Sequence, residues 1–151
     1  MRGRSERDGD RGAVAVEFAL IIPIFLLFVY GSITFGIALS VKQMVSQAAA
    51  EGARSSVGAQ IIAGDADQNA AYVRVAVARA SAAFGSNAQW ATITPTIETP
   101  CPNAAANQSA GVCVKVTVSY PYAAHPLIPT LPGLGFVIPS TISSVYEVQV
   151  L

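Results

Sequence analysis

The sequence is poor in charged residues and in the residue types from which catalytic and metal sites are built. Only 12% of its 151 residues are charged, whereas soluble domains usually carry about 25%. A membrane protein is therefore the favoured class. The net charge is zero, so no basic surface indicates a nucleic-acid partner.

Histidine and cysteine are also scarce. The single histidine, His125, and the two cysteines cannot complete a four-ligand zinc shell. No Ser, Cys or Asp stands at a recognised catalytic spacing from His125, and no glycine-rich phosphate loop precedes a helix. We therefore expect no enzymatic activity, no metal, no cofactor and no small-molecule substrate.

A long apolar run is the main feature that the sequence does contain. Between Arg11 and Lys42 the only charged residue is Glu17. About 20 apolar residues cross a bilayer core of roughly 30 Å, and this run is longer. The apolar part of a cleavable secretory signal has only about 7–15 residues. We therefore predict one transmembrane helix that remains in the protein.

Basic residues predict how this helix is oriented, because Lys and Arg accumulate on the cytoplasmic side. Four of them precede the apolar run and two follow it at short range: Arg2, Arg4, Arg7 and Arg11, then Lys42 and Arg54. We expect a single-pass protein of the cell membrane, with a cytoplasmic N-terminus and an extracytoplasmic C-terminal domain.

The two cysteines fit an extracytoplasmic location. Cys101 and Cys113 enclose a segment rich in Asn, Pro and Gly between strand-like flanks. A disulfide between them would stabilise the fold by about 2–3 kcal/mol, and oxidising compartments permit it. Two free thiols are the alternative.

The junction between leader and apolar run carries the clearest functional pattern. Gly12 follows a short charged leader, four apolar residues come next, and Glu17 and Phe18 follow. A carboxylate at the centre of a membrane helix costs about 2.5–3.5 kcal/mol, and less near its edge. We expect Glu17 to have a partner; the alternative is a side chain that extends to the cytoplasmic interface.

This order resembles the class III signal of type IV pilins and pseudopilins. The resemblance implies that a membrane-embedded prepilin peptidase cuts between Gly12 and Ala13. The apolar helix then remains as an assembly stem. A cut there would place the new amino group of Ala13 near the depth of Glu17 in a neighbouring subunit.

A longer stretch resembles the TadE-like family. Its features are the VEFAL start at Val16, Pro23 inside the apolar run, a glycine near the outer end of that run, and the AAEGAR segment that ends at Arg54. Phe18 departs from the Tyr that often follows Glu in pseudopilins, which is a conservative difference. The resemblance implies a minor pseudopilin of a tight-adherence (Flp-type) pilus, with other pilins or pilus-assembly proteins as partners. The alternative is an uncleaved single-pass anchor that presents a small extracellular binding domain.

Two further features of the apolar run concern helix packing. Ser32, Gly36 and Ser40 recur every four residues and form a small-residue face that would let another helix approach closely. Pro23 leaves the carbonyl of Ala19 without its helical donor, so we expect a kink there.

The predicted fold class is α+β. We expect a cytoplasmic leader over residues 1–12, then a stem helix over 13–58 whose membrane part covers about 13–36, and an extracytoplasmic domain over 59–151. Within that domain, helical spacing predicts a second, amphipathic helix with Asp65 as N-cap and Gly85 as its end. Its apolar stripe is predicted to comprise Ala66, Ala70, Val73, Val77, Ala80 and Phe84.

The remainder of the domain shows strand patterns. Alternating and β-branched residues predict a small antiparallel sheet from three segments, Gln89–Glu98, Val112–Tyr120 and Thr141–Val150. The proline-rich segment over 121–139 is predicted to be irregular.

Overall fold

The computed structural model describes residues 5–102, 111–127 and 139–150, with the backbone alone for 5–11. The chain divides into two compact units, residues 1–37 and 38–151. Its elements are α1 (Ser5–Ser56), α2 (Gln68–Phe84), a short 3-10 helix (Gly85–Trp90) and three strands, β1 (Thr92–Glu98), β2 (Val112–Tyr120) and β3 (Ile142–Val150). The predicted α+β fold, with a long N-terminal helix, a second helix and an antiparallel sheet, is confirmed.

Helix α1 continues through Pro23 and ends at Ser56. It therefore passes through Gly52 and ends two residues before the predicted bound at 58. Most of its side chains up to Ser40 are exposed, but a buried stripe begins beyond that residue. The stripe follows helical spacing and consists of Val41, Val45, Ala48, Ala49 and Ala53.

The N-terminus of α2 differs from the prediction. Asp67 is the N-cap, and its carboxylate accepts a hydrogen bond from the N–H of Ala70 at 2.8 Å. Asp65 instead forms an ion pair with Arg74 at 2.9 Å and accepts a hydrogen bond from the N–H of Ile62. The prediction of Asp65 as N-cap was therefore wrong. Its carboxylate pairs with Arg74, which lies two turns inside the helix, and a local capping pattern does not include so distant a residue.

The buried face of α2 is rotated from the predicted stripe. Ala80 and Phe84 are buried as expected, but Val77 is exposed, and Ala66 lies before the first residue of α2. The other buried residues are Ala71, Tyr72 and Ala76. Several registers of this alanine-rich helix look equally apolar in sequence, so the position of Tyr72 against the core decides between them. The predicted end is confirmed, because Gly85 adopts φ +72°, which glycine tolerates.

The sheet has the order β1-β2-β3, and both pairs are antiparallel. The central strand β2 buries Val114, Val116, Val118 and Tyr120 on one face, as its alternation predicts. Pro95 lies in β1, an edge strand, where a missing N–H is tolerated. The predicted irregular segment 121–139 lies largely outside the described residues.

The core of the C-terminal unit lies between the two helices and one face of the sheet. Gly52 marks the closest approach. A Cβ atom at that position would lie 2.9 Å from the carbonyl oxygen of Ala76, 3.0 Å from Cβ of Ala80 and 3.4 Å from Cγ1 of Val116. Only glycine allows α1 to come this close to α2 without displacement.

The loop between α1 and α2 is held by polar contacts. Arg74 donates to the carboxylate of Asp65 and to the carbonyl oxygen of Gln60, 3.0 Å away. The side-chain amide of Gln68 donates to the carbonyl oxygen of Ala59 at 2.8 Å. The hydrogen bond from Arg74, followed by that from the Ile62 N–H, lowers the pKa of Asp65 from its ordinary value. Asp65 therefore remains a charged anchor for the loop at neutral pH.

A disulfide joins Cys101 and Cys113, with their Cα atoms 5.1 Å apart. Cys113 belongs to β2, and Cys101 follows β1 closely. The bond therefore links the segment after β1 to the start of β2. Beside it, the N–H of Cys101 donates to the carbonyl oxygen of Gly111 at 3.1 Å.

We predict that Gly52→Ala destabilises the C-terminal unit by a net of about 1–2 kcal/mol, because overpacking costs about 1–3 kcal/mol and Ala recovers up to about 1 kcal/mol of helix propensity. Urea unfolding of the full chain in detergent micelles, followed by the fluorescence of the single tryptophan, Trp90, measures the change. Gly58→Ala is the control, because an added Cβ there meets nothing within 4 Å. Equal unfolding midpoints for the two variants would contradict this account of the core.

Candidate assembly site on the N-terminal helix

The peptide bond between Gly12 and Ala13 lies inside α1 and not in a loop. Gly12 is exposed, and an added Cβ would meet nothing within 4 Å. Its φ is not positive. Glycine in a helix interior costs about 0.8–1.0 kcal/mol relative to alanine. Neither backbone conformation nor packing against the described residues therefore explains the glycine.

Glu17 and Phe18 lie on α1 shortly after Gly12. Both are exposed, and Phe18 retains 64% of its accessible surface. None of the side chains that the structure describes forms an ion pair with Glu17. The two ion pairs among the described residues are Asp65–Arg74 and Glu98–Lys115. Glu17 is thus an acidic group on an otherwise apolar helical surface.

The surface around Glu17 is strongly apolar. Large hydrophobic side chains are exposed from Val14 to Leu39, among them Phe25 at 60% and Phe28 at 71%. Within the described part of the chain, α1 alone is long and apolar enough to cross a membrane, and none of its apolar window is buried. The core helix of a soluble protein would bury such a surface, which leaves a membrane anchor as the better explanation.

The predicted small-residue face consists of exposed positions. The hydroxyl of Ser32 donates to the carbonyl oxygen of Phe28 at 2.9 Å, so its polar group is satisfied within the helix. Gly36 has open space where a Cβ would stand, and Ser40 is exposed. The described residues therefore leave this face open to contact with another helix.

The role of the segment from Glu51 to Arg54 was not predicted from the sequence. Gly52 and Ala53 are buried where α1 packs closely against α2 and the sheet. Arg54 donates to the hydroxyl of Tyr146 at 3.3 Å, and its guanidinium lies 5.4 Å from the centre of that ring. The sequence does contain one indication of this role. Gly52 and Ala53 are small enough for close helix packing, and the long side chain of Arg54 can keep its charged group at the edge of that contact.

Other polar groups of the C-terminal unit have structural partners. The ring of His125 stacks on Trp90 with centroids 3.7 Å apart, and its carbonyl oxygen accepts a hydrogen bond from Tyr120. The amino group of Lys42 donates to the carbonyl oxygen of Ser143. Among the residues searched, no cluster of His, Cys, Asp or Glu could hold a metal ion. These groups therefore contribute to the stability of the fold.

Together these features define the class: a single-pass membrane-anchored protein with an α+β domain on the C-terminal side of its membrane helix. Residues 12–54 match the family model described as TadE-like protein, which confirms the resemblance found in the sequence. The match covers α1 from Gly12 almost to its end and does not reach α2 or the sheet. Comparison with curated proteins found no match, and comparison with solved structures found none.

Proposed function

We propose that this protein is a minor pseudopilin of a Tad-type (Flp) pilus, anchored by α1 and processed after Gly12 by a prepilin peptidase. The observation that carries the proposal is the pair formed by Gly12 and Glu17. No described side chain packs against Gly12 or forms an ion pair with Glu17, and each residue carries a cost in free energy. A cut after Gly12 and an assembly contact at Glu17 would account for both.

Processing would change the charge balance at the start of the helix. Hydrolysis of the Gly12–Ala13 bond consumes one water, leaves a carboxylate on Gly12 and creates an amino group on Ala13. Ala13 and Glu17 lie four residues apart, which is about 6 Å along a helix axis. A neighbouring stem displaced by about one turn therefore brings its new amino group beside Glu17.

The exposed apolar surface of α1 supports a stem helix that can contact either lipid or other stem helices. In the membrane it contacts lipid, and in an assembly it would contact other stems. The small-residue face formed by Ser32, Gly36 and Ser40 would allow such close contacts. The proposed partners are other pilins, pilus-assembly proteins and the peptidase.

The proposed topology places the N-terminus in the cytoplasm and the unit from Ala38 onward outside. The excess of arginine before the helix supports this orientation. The Cys101–Cys113 bond also supports it, because disulfides persist in oxidising compartments. Residues 1–12 would then form the leader, 13–58 the stem, and 59–151 the extracytoplasmic domain.

An uncleaved anchor with a small extracellular binding domain remains the second candidate. It explains the apolar helix and the disulfide equally well. It provides no reason for glycine at position 12 and treats Glu17 as a side chain that extends to the interface. Processing and assembly therefore distinguish the two proposals.

We predict cleavage between Gly12 and Ala13 in cells that contain an active prepilin peptidase. Intact mass or N-terminal sequencing of the mature protein should show the loss of residues 1–12. Gly12→Ala should block or strongly slow the cut, whereas Gly31→Ala, another exposed glycine of the same helix, should not. An unprocessed wild-type chain, or normal processing of Gly12→Ala, would refute the proposal.

We predict that Glu17→Gln impairs pilus assembly while insertion and cleavage stay close to normal. The carboxylate makes membrane insertion less favourable, and pairing with an amino group in the assembly would offset that cost. Removing the charge should therefore affect the assembled state alone. Glu17→Asp is the matched variant that keeps the charge, and it should retain part of the assembly. Surface pili and co-isolated pilus components are scored at equal protein levels. Normal piliation with Glu17→Gln would remove the pairing from the proposal.

We predict that Cys101 and Cys113 are bonded in the protein isolated from cells without reductant. Alkylation before and after reduction, followed by peptide mapping, measures the fraction of free thiol. A membrane-impermeant reagent applied to intact cells after reduction should label both cysteines where the outer layers admit it. Thiols that alkylate fully without reductant would contradict the bond and the proposed orientation together.

A further inference from the structure

We infer that Gly9, which no motif in the sequence singled out, controls processing by weakening the helix around the scissile bond. The inference rests on the proposed function, since it concerns the cut after Gly12. Gly9 would be a positioning residue that acts through the backbone. This role is separate from the direct recognition of Gly12 by the peptidase.

The first observation is that the scissile bond is helical on both sides. α1 begins at Ser5, seven residues before Gly12, and continues to Ser56. In an α-helix the N–H of residue i donates to the carbonyl of residue i−4. The N–H of Ala13, which belongs to the scissile bond, therefore pairs with the carbonyl of Gly9. A hydrolase that needs access to this amide must first open that turn.

The second step concerns the direction in which the helix can open. From Ala13 onward the exposed surface is apolar, and Val14 and Val16 keep more than 60% of their accessible surface. In lipid, a backbone group without its hydrogen bond costs several kcal/mol. Opening is therefore cheapest on the leader side, where water replaces the lost hydrogen bonds. The part of α1 that must open is therefore its end before Ala13, which includes positions 8 and 9.

The third step is the effect of glycine on that turn. Gly9 and Gly12 both lie in it, and each lowers helix stability relative to alanine by about 0.8–1.0 kcal/mol. For a peptide bond that opens and closes rapidly, cleavage follows the population of the open form. Replacing Gly9 by alanine should therefore reduce that population about four- to fivefold.

The test moves the glycine among variants that share one leader charge. Three full-length variants all lack Asp8: Asp8→Ala keeps glycine at position 9, Asp8→Gly with Gly9→Ala moves it to position 8, and Asp8→Ala with Gly9→Ala removes it. The moved glycine still weakens the same region, because the N–H of Gly12 pairs with the carbonyl of residue 8. Cleavage by a prepilin peptidase is measured in vesicles over a range of substrate densities.

We expect the first two variants to be cut equally well and the third to be cut about four- to fivefold less efficiently. The loss should appear in KM with kcat unchanged, because a smaller competent fraction weakens apparent binding in proportion. Amide hydrogen exchange at Ala13, measured without enzyme, should slow by the same factor in the third variant alone.

The outcomes separate this inference from the function on which it rests. If the wild-type chain is not cut, the proposed function fails, although hydrogen exchange still reports on the helix. If the wild type is cut and all three variants are cut equally, only the role of Gly9 is overturned. If the variant with glycine at position 8 is cut as slowly as the variant that lacks it, the peptidase recognises position 9 directly. That result also overturns the inference.

Discussion

The need to keep backbone hydrogen bonds satisfied in lipid is the constraint on which the rest of this structure depends. A chain that crosses a bilayer once has no other segment with which to pair its backbone, so it must cross as an unbroken helix. α1 is continuous from Ser5 to Ser56, and Pro23 removes only the donor for the carbonyl of Ala19. Any function of this segment must therefore be built on a helical surface or on the local opening of a helix.

The same helix also supplies one layer of the core of the C-terminal unit. Beyond Ser40 its surface changes from exposed apolar residues to a buried stripe of Val and Ala. Small side chains at Ala48, Ala49 and Ala53, with none at Gly52, allow the close approach of α2 and β2. Removing the last turns of α1 would expose that face of the sheet, so this part of the helix belongs to the folded C-terminal unit.

The sequence predicted those features that depend on local pattern. Alternation in β2 indicated the correct buried face, and the position of Gly85 indicated the end of α2. It failed where a distant group decides between local alternatives. Asp65 and Asp67 are both good capping residues in sequence, and only the position of Arg74 shows which one caps.

The proposed functional residues of α1 were singled out for a different reason, namely that they depart from the local sequence pattern. Glu17 is an acidic residue in an apolar run, and Gly12 a poor helix former inside a helix. The packing role of Gly52 and the contact of Arg54 with Tyr146 were not predicted, because Tyr146 lies on β3, 92 residues further along the chain. A local pattern carries no information about such a contact.

Gly12, Gly52 and Gly85 show why the environment of a glycine decides its meaning. Gly85 adopts a positive φ, and Gly52 lies where a Cβ would meet a backbone oxygen at 2.9 Å. In both cases the folded chain itself requires the residue. Gly12 has neither property, yet it lowers the stability of its helix. No contact among the described residues calls for glycine at this position, and the peptidase that we propose would supply a reason from outside the folded chain.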